Sequence, residues 1–116
     1  MPTLSEELEP RAVEVAGLLR SIANERRLVI LCRLVERGEA NVGDLAEAVG
    51  LSSSAVSQHL SILREQGVVG YRRESQTLWY RISDPRIERL FATLHDLFCG
   101  PQAARPAQTA MTDGED

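Results

Sequence analysis

Residues 42–67 read VGDLAEAVGLSSSAVSQHLSILREQG. Leu45 and Val49 stand four apart, as do Val56 and Leu60, and each pair marks one face of a helix. Gly50 breaks the pattern where a chain leaving a helix favours a left-handed residue. Ser52 follows where a hydroxyl oxygen accepts from the free N–H groups of a new helix. Two short helices about a glycine turn predict a helix-turn-helix, whose second helix enters a DNA major groove. The outward face of that helix carries Ser54, Ser57, Gln58, Ser61 and Glu65. A merely solvated face would carry more Lys, Glu and Arg, whereas short hydroxyls and a glutamine suit close approach to phosphates and base edges. The plainer alternative is a helical hairpin in a small all-α domain.

Working outward, the residues after Gly67 change period. VVGYRRE and TLWYRIS are rich in β-branched and aromatic residues, with Ser75-Gln76 between them, and predict a β-hairpin. Arg72, Arg73 and Gln76 fall near its tip, in reach of phosphates, and the hairpin has the place of the wing in a winged helix. Asp84-Pro85 opens a last helix that runs to about Cys99, with Ile87, Leu90, Phe91, Leu94, Leu97 and Phe98 as its stripe and Gly100-Pro101 as its stop. Upstream, Leu8, Ala12, Val15, Leu19 and Ile22 recur at helical steps and predict one helix from about Glu6 to Ile22. A second helix follows from about Asn24 to Arg37, with Leu28, Leu31, Cys32 and Val35 on its core face and Val29 and Ile30 widening it. Asn24 and Asn41 are expected caps.

The fold expected is mainly α with a small β-hairpin, in three parts: a loose segment 1–5, a winged helix-turn-helix domain 6–99, and a disordered Ala-, Pro- and acid-rich tail 100–116. At 43% hydrophobic the 116 residues supply one small core, so apolar stripes on the first and last helices are expected to meet a second copy. Such a homodimer presents two reading helices roughly 34 Å apart. The net charge of −4 is unusual for a DNA binder, but Ser53–Arg81 carries +2 and the remainder −6. No apolar run is long enough to span a bilayer and the first ten residues do not resemble a signal peptide, so the expected setting is the cytoplasm, where both cysteines stay reduced.

The order helix, helix, helix-turn-helix, hairpin, helix resembles the ArsR/SmtB family of bacterial repressors, over about Val13 to Cys99. LRSIANERRLVILCRL resembles the family's entry motif, with Asn24, Arg27, Leu28, Ile30 and Leu31 in place, and Ser57, His59 and Leu60 match its S-x-H-L. The resemblance implies homodimerisation through the first and last helices and DNA contact by Ser53, Ser54, Ser57 and Gln58. With His59, Arg64, Arg72, Arg73 and Gln76, these make the expected DNA-facing set.

It also implies an inducer. The arsenite branch places cysteines where this chain has Asn41 and Gly43. The zinc branch needs a histidine where Arg86 stands two after Asp84, and later ligands where Leu97 and Gly100 fall. No metal and no cofactor is therefore expected. Cys32, within ILC, and Cys99, within LFC, resemble the paired thiols of the persulfide-sensing, BigR- and SqrR-like branch, in which reactive sulfur species join them by a disulfide or polysulfide bridge and free the DNA.

Read without the family, Cys32 is a small hydrophobe on a core face. Cys99 lies off its helix's apolar stripe and four residues after His95, whose charged form favours the thiolate while the helix dipole opposes it. Three rivals stay open: a repressor of the same fold sensing arsenite or a metal through these thiols, a DNA-binding regulator with no inducer, and a thiol oxidoreductase, for which Cys-x-x-Cys and a βαβ pattern are missing.

Overall fold

The computed structural model describes residues 1–100 and falls into two units, Met1–Asp84 and the segment from Pro85 onward. The elements run α1 (Leu4–Leu8), a 3₁₀ turn (Glu9–Arg11), α2 (Ala12–Ile22), α3 (Glu25–Arg37), α4 (Val42–Val49), α5 (Ser53–Glu65), β1 (Val69–Glu74), β2 (Thr77–Ile82) and α6 (Pro85–Phe98). This is mainly α with one antiparallel hairpin, in the order of a winged helix-turn-helix.

The N-terminal expectation needs correction. The single helix from Glu6 is two helices joined by the 3₁₀ turn that contains Pro10, whose ring prevents a continuous α-helical ladder. Within the segment expected to be loose, Thr3 and Glu6 form a reciprocal capping box that opens α1 at Leu4. The seam on these helices is buried only at Ile22, while Leu8 and Leu19 are exposed. On α3 Ile30, Leu31 and Leu34 are buried; of the rest of the expected face Cys32 and Val35 are half-buried, and Leu28 and Val29 are exposed.

The helix-turn-helix forms as its residues dictate. The Asn24 side chain accepts from the N–H groups of Arg26 and Arg27 to start α3, and Asn41 accepts from Asp44 N–H at 2.8 Å to start α4. Gly50 takes the left-handed conformation (φ 71°), and Leu51 N–H returns to the Ala46 carbonyl. Ser52 Oγ accepts from Ala55 N–H at 3.1 Å and opens α5. Leu45, Val56, Leu60 and Leu63 are fully buried with Ile30, Leu31 and Leu34 of α3. Each such burial contributes roughly 1.5–3 kcal/mol, which is what holds α4 and α5 on α3.

α5 closes with Val68 N–H on the Leu63 carbonyl and Gly67 N–H on that of Arg64, with Gly67 at φ 74°. The chain then enters β1 at Val69. β1 pairs with β2 from Val69↔Ile82 to Glu74↔Thr77, with Ser75-Gln76 as the tip. Ala40 forms an isolated β-bridge to β2, exchanging two hydrogen bonds with Tyr80.

In the second unit, Ile87 and Phe91 of α6 are buried, whereas Leu97 (59%) and Phe98 (74%) are exposed at its end. The stripe is thus apolar throughout and covered only in its first half. The tail expected from residue 100 lies, from 101 onward, outside the described residues.

Candidate nucleic-acid interface

Val56, Leu60 and Leu63 face inward on α5, so its 3.6-residue period turns Ser54, Ser57, Gln58, Ser61 and Glu65 to the opposite side, and all five are exposed. Ser53 is exposed at the first turn of the helix. No acidic residue occupies that turn, so the positive end of the helix meets an approaching phosphate without competition.

His59, expected to face DNA, instead turns toward α3. Its Nδ1 lies 3.3 Å from Arg27 Nη1, and Arg27 Nε donates to the Ser21 carbonyl at 2.6 Å. A guanidinium only donates, so Nδ1 accepts and the ring is neutral with its proton on Nε2. Partial burial and the neighbouring Arg27 and Arg26 charges push the His59 pKa below its ordinary value. His59 thus links α5 to α3 through Arg27 and remains half-exposed.

The hairpin sorts its arginines onto two sides, because successive strand residues alternate. Tyr71 pairs with Tyr80 on the core side, their rings 5.3 Å apart, and the Arg64 guanidinium of α5 sits 4.4 Å above the Tyr71 ring. Stacking leaves the N–H edges of Arg64 available. Arg73, two residues beyond Tyr71, continues this side, is exposed, and has no ion pair among the described residues. Arg72 lies on the other side and not at the tip. Its Nε and Nη2 donate to the two carboxylate oxygens of Glu39 at 2.9 and 3.1 Å, and Nη1 reaches Glu74 at 3.3 Å. Hydrogen bonding to Arg72 holds the Glu39 carboxyl below its ordinary pKa. Arg72 is thus already engaged with carboxylates. Gln76 is exposed at the tip.

Two contributors escaped the sequence reading, Glu39 and Tyr71, and Arg27 entered it only as part of a family motif. The alternation that places Arg73 outward also places Tyr71 beneath Arg64, and that signal was readable. The Glu39–Arg72 and Arg27–His59 contacts join residues 33 and 32 apart, and no local pattern announces them.

Neither cysteine is in a disulfide: Cys32 is half-buried on α3, and Cys99 is exposed just past α6, its N–H donating to the His95 carbonyl at 2.8 Å. His95 Nδ1 and Asp96 Oδ1 stand 4.0 Å apart beside it. Among the described residues no three His, Cys, Asp or Glu side chains gather as a metal site, and no helix is long and apolar enough to cross a membrane.

A capped helix pair about a left-handed glycine, followed at once by a hairpin, defines a winged helix-turn-helix. The sequence model of the bacterial regulatory proteins of the arsR family matches residues 24–71. The transcriptional activator HlyU of Vibrio cholerae is 42% identical over 84% of this chain and 90% of its own length. The crystal structure of the transcriptional repressor BigR from Xylella fastidiosa superposes with a TM-score of 0.77 at 38% identity, covering 84% of this chain and 98% of that one. The homodimeric winged helix-turn-helix DNA-binding domain of a possible ArsR-family regulator from Mycobacterium bovis superposes at 0.69, with 35% identity over 82% of this chain and 87% of that one. The chain belongs to the arsR family of bacterial transcriptional regulators.

Proposed function

We propose that this regulator is a homodimeric repressor, acting in the cytoplasm, that holds double-stranded operator DNA and lets go when reactive sulfur species oxidise Cys32 and Cys99 to a disulfide or polysulfide bridge. The observation that carries the DNA reading is the outward face of α5, where Ser53, Ser54, Ser57 and Gln58 are exposed and Arg64 borders them. Hydroxyls and an amide of this length hydrogen-bond phosphates and base edges. Pairing is supported by the exposed apolar residues Val13, Leu19, Leu97 and Phe98 and by the homodimeric Mycobacterium bovis relative.

The sulfur reading is supported by two thiols outside any disulfide and by the likeness to BigR, whose persulfide-sensing branch the ILC and LFC motifs resemble. Cys99 is exposed at a helix end, where no packing role accounts for it. Its thiolate attacks the outer sulfur of a persulfide RSSH, giving Cys99–SSH and RS⁻. The Cys32 thiolate then attacks the Cys99 sulfur and expels HS⁻. Two protein thiols are oxidised and the persulfide is reduced to a thiol and sulfide.

The test treats reduced protein with glutathione persulfide under nitrogen, reads the Cys32–Cys99 link by peptide mass spectrometry, and titrates a duplex from upstream of the chain's own gene. Release of the DNA that vanishes in Cys99→Ser supports the proposal. An undiminished response in that variant, or release by arsenite with the thiols still reduced, overturns it.

A further inference from the structure

The outer side of the hairpin carries a charge cluster that the reading face does not use. Both edges of the Arg72 guanidinium are taken by carboxylates: two parallel bonds to Glu39 and a third to Glu74, with the Trp79 ring 5.9 Å away. To meet a phosphate, Arg72 must first surrender this fork. An exposed ion pair adds little to stability, but a bidentate one fixes geometry. Here it fixes β1 to a particular place, because Glu39 adjoins Ala40, the residue paired with Tyr80, and Asn41, the cap of α4. The side toward α5 looks different. Arg64 lies on the Tyr71 ring, and Arg73 follows on the same side with no carboxylate partner among the described residues.

Resting on the DNA-binding reading above, we propose that Arg72 is a positioning residue and not a phosphate contact. Held by Glu39 and Glu74, it sets the hairpin against the start of the helix-turn-helix so that Arg73, beside the ring-aligned Arg64, meets the DNA backbone.

A charge swap tests this, read as affinity and as the salt dependence of binding to a duplex from upstream of the chain's own gene. Arg72→Glu sets three carboxylates together, frees the hairpin, and should weaken binding at least tenfold. Adding Glu39→Arg re-forms the pair in reverse and should bring affinity back to within about threefold, with the wild-type salt slope. Each lost phosphate contact lowers that slope by about 0.9, so a swap that stays weak with a reduced slope makes Arg72 a contact and overturns the proposal. So does an Arg72→Glu protein that binds like wild type. Glu39→Gln guards against a swap that does not fold. It should leave the slope unchanged, whereas an Arg72 released to bind phosphate would raise it. Wild-type protein that binds no duplex removes the DNA-binding reading itself, a separate result from any difference among the variants.

Discussion

Arg27 and His59, 32 residues apart, meet at 3.3 Å, with the arginine donating to a neutral imidazole. The same guanidinium donates to the Ser21 carbonyl, so one side chain ties the end of α2, the start of α3 and the middle of α5. The Arg27–His59 contact thus joins α5 to the α2–α3 corner through one ring.

A pH dependence follows. The His59 pKa is lowered in the folded protein, chiefly by burial and then by the Arg27 and Arg26 charges, so the unfolded chain binds the proton more readily. This contribution to stability is complete above the unfolded value near 6.5 and is lost as pH falls through the lowered folded value. His59→Gln should flatten urea-midpoint profiles across that window while lowering stability by about 1 kcal/mol at pH 8. Histidine proton shifts read the His59 pKa directly. A His59 that titrates at or above 6.5 defeats the argument.

Base reading should centre on Gln58. Gln58→Ala should cost about 1–3 kcal/mol against the preferred duplex and relax preference at one base pair, as expected for loss of a paired contact to an adenine edge. Arg73→Ala should weaken all sequences alike and lower the salt slope by about one per subunit. Competition binding over a randomised duplex pool separates the two effects. Equal sequence preference in Gln58→Ala and wild type rejects the assignment.

Two glycines should respond with opposite signs to the same substitution. An added methyl at Gly50 meets nothing within 4 Å, so Gly50→Ala has only the left-handed backbone to oppose it, about 1–2 kcal/mol. Gly43 lies inside α4 without a positive φ, and its added carbon would stand 3.5 Å from Asn41 Oδ1, an ordinary contact. Gly43→Ala should be neutral or stabilising by up to about 1 kcal/mol. Denaturant unfolding decides, and a Gly50→Ala protein as stable as wild type contradicts the turn.

These glycines also show what was legible. Gly50, Ser52, Asn24 and Asn41 act through neighbours two to five residues away, so their roles follow from spacing alone. Leu28 misled because amphipathic periodicity locates an apolar face without saying which part of it a single chain covers. Pro10 stands inside the predicted first helix, where its ring interrupts the ladder that apolar periodicity alone implies. For His59 and Arg72, position along the chain suggests a place facing DNA but says nothing of their contacts within the protein. Those contacts come from tertiary packing, which brings one ring to Arg27 and one guanidinium to Glu39.

The pairing of subunits gives the last prediction. Val13 is 86% exposed and Phe98 74%, on helices that are otherwise apolar along one side. Isolated exposed leucines are ordinary, but several large apolar residues on two helices need cover. Phe98→Glu should shift sedimentation from dimer to monomer at micromolar concentration, while the melting of α3–α5 stays cooperative, because their core lies within the first unit. The monomer should also lose far more DNA affinity than one removed side chain explains, since two linked reading helices engage neighbouring grooves at a shared effective concentration. A Phe98→Glu protein that remains dimeric and binds the duplex at full strength places the pairing surface elsewhere.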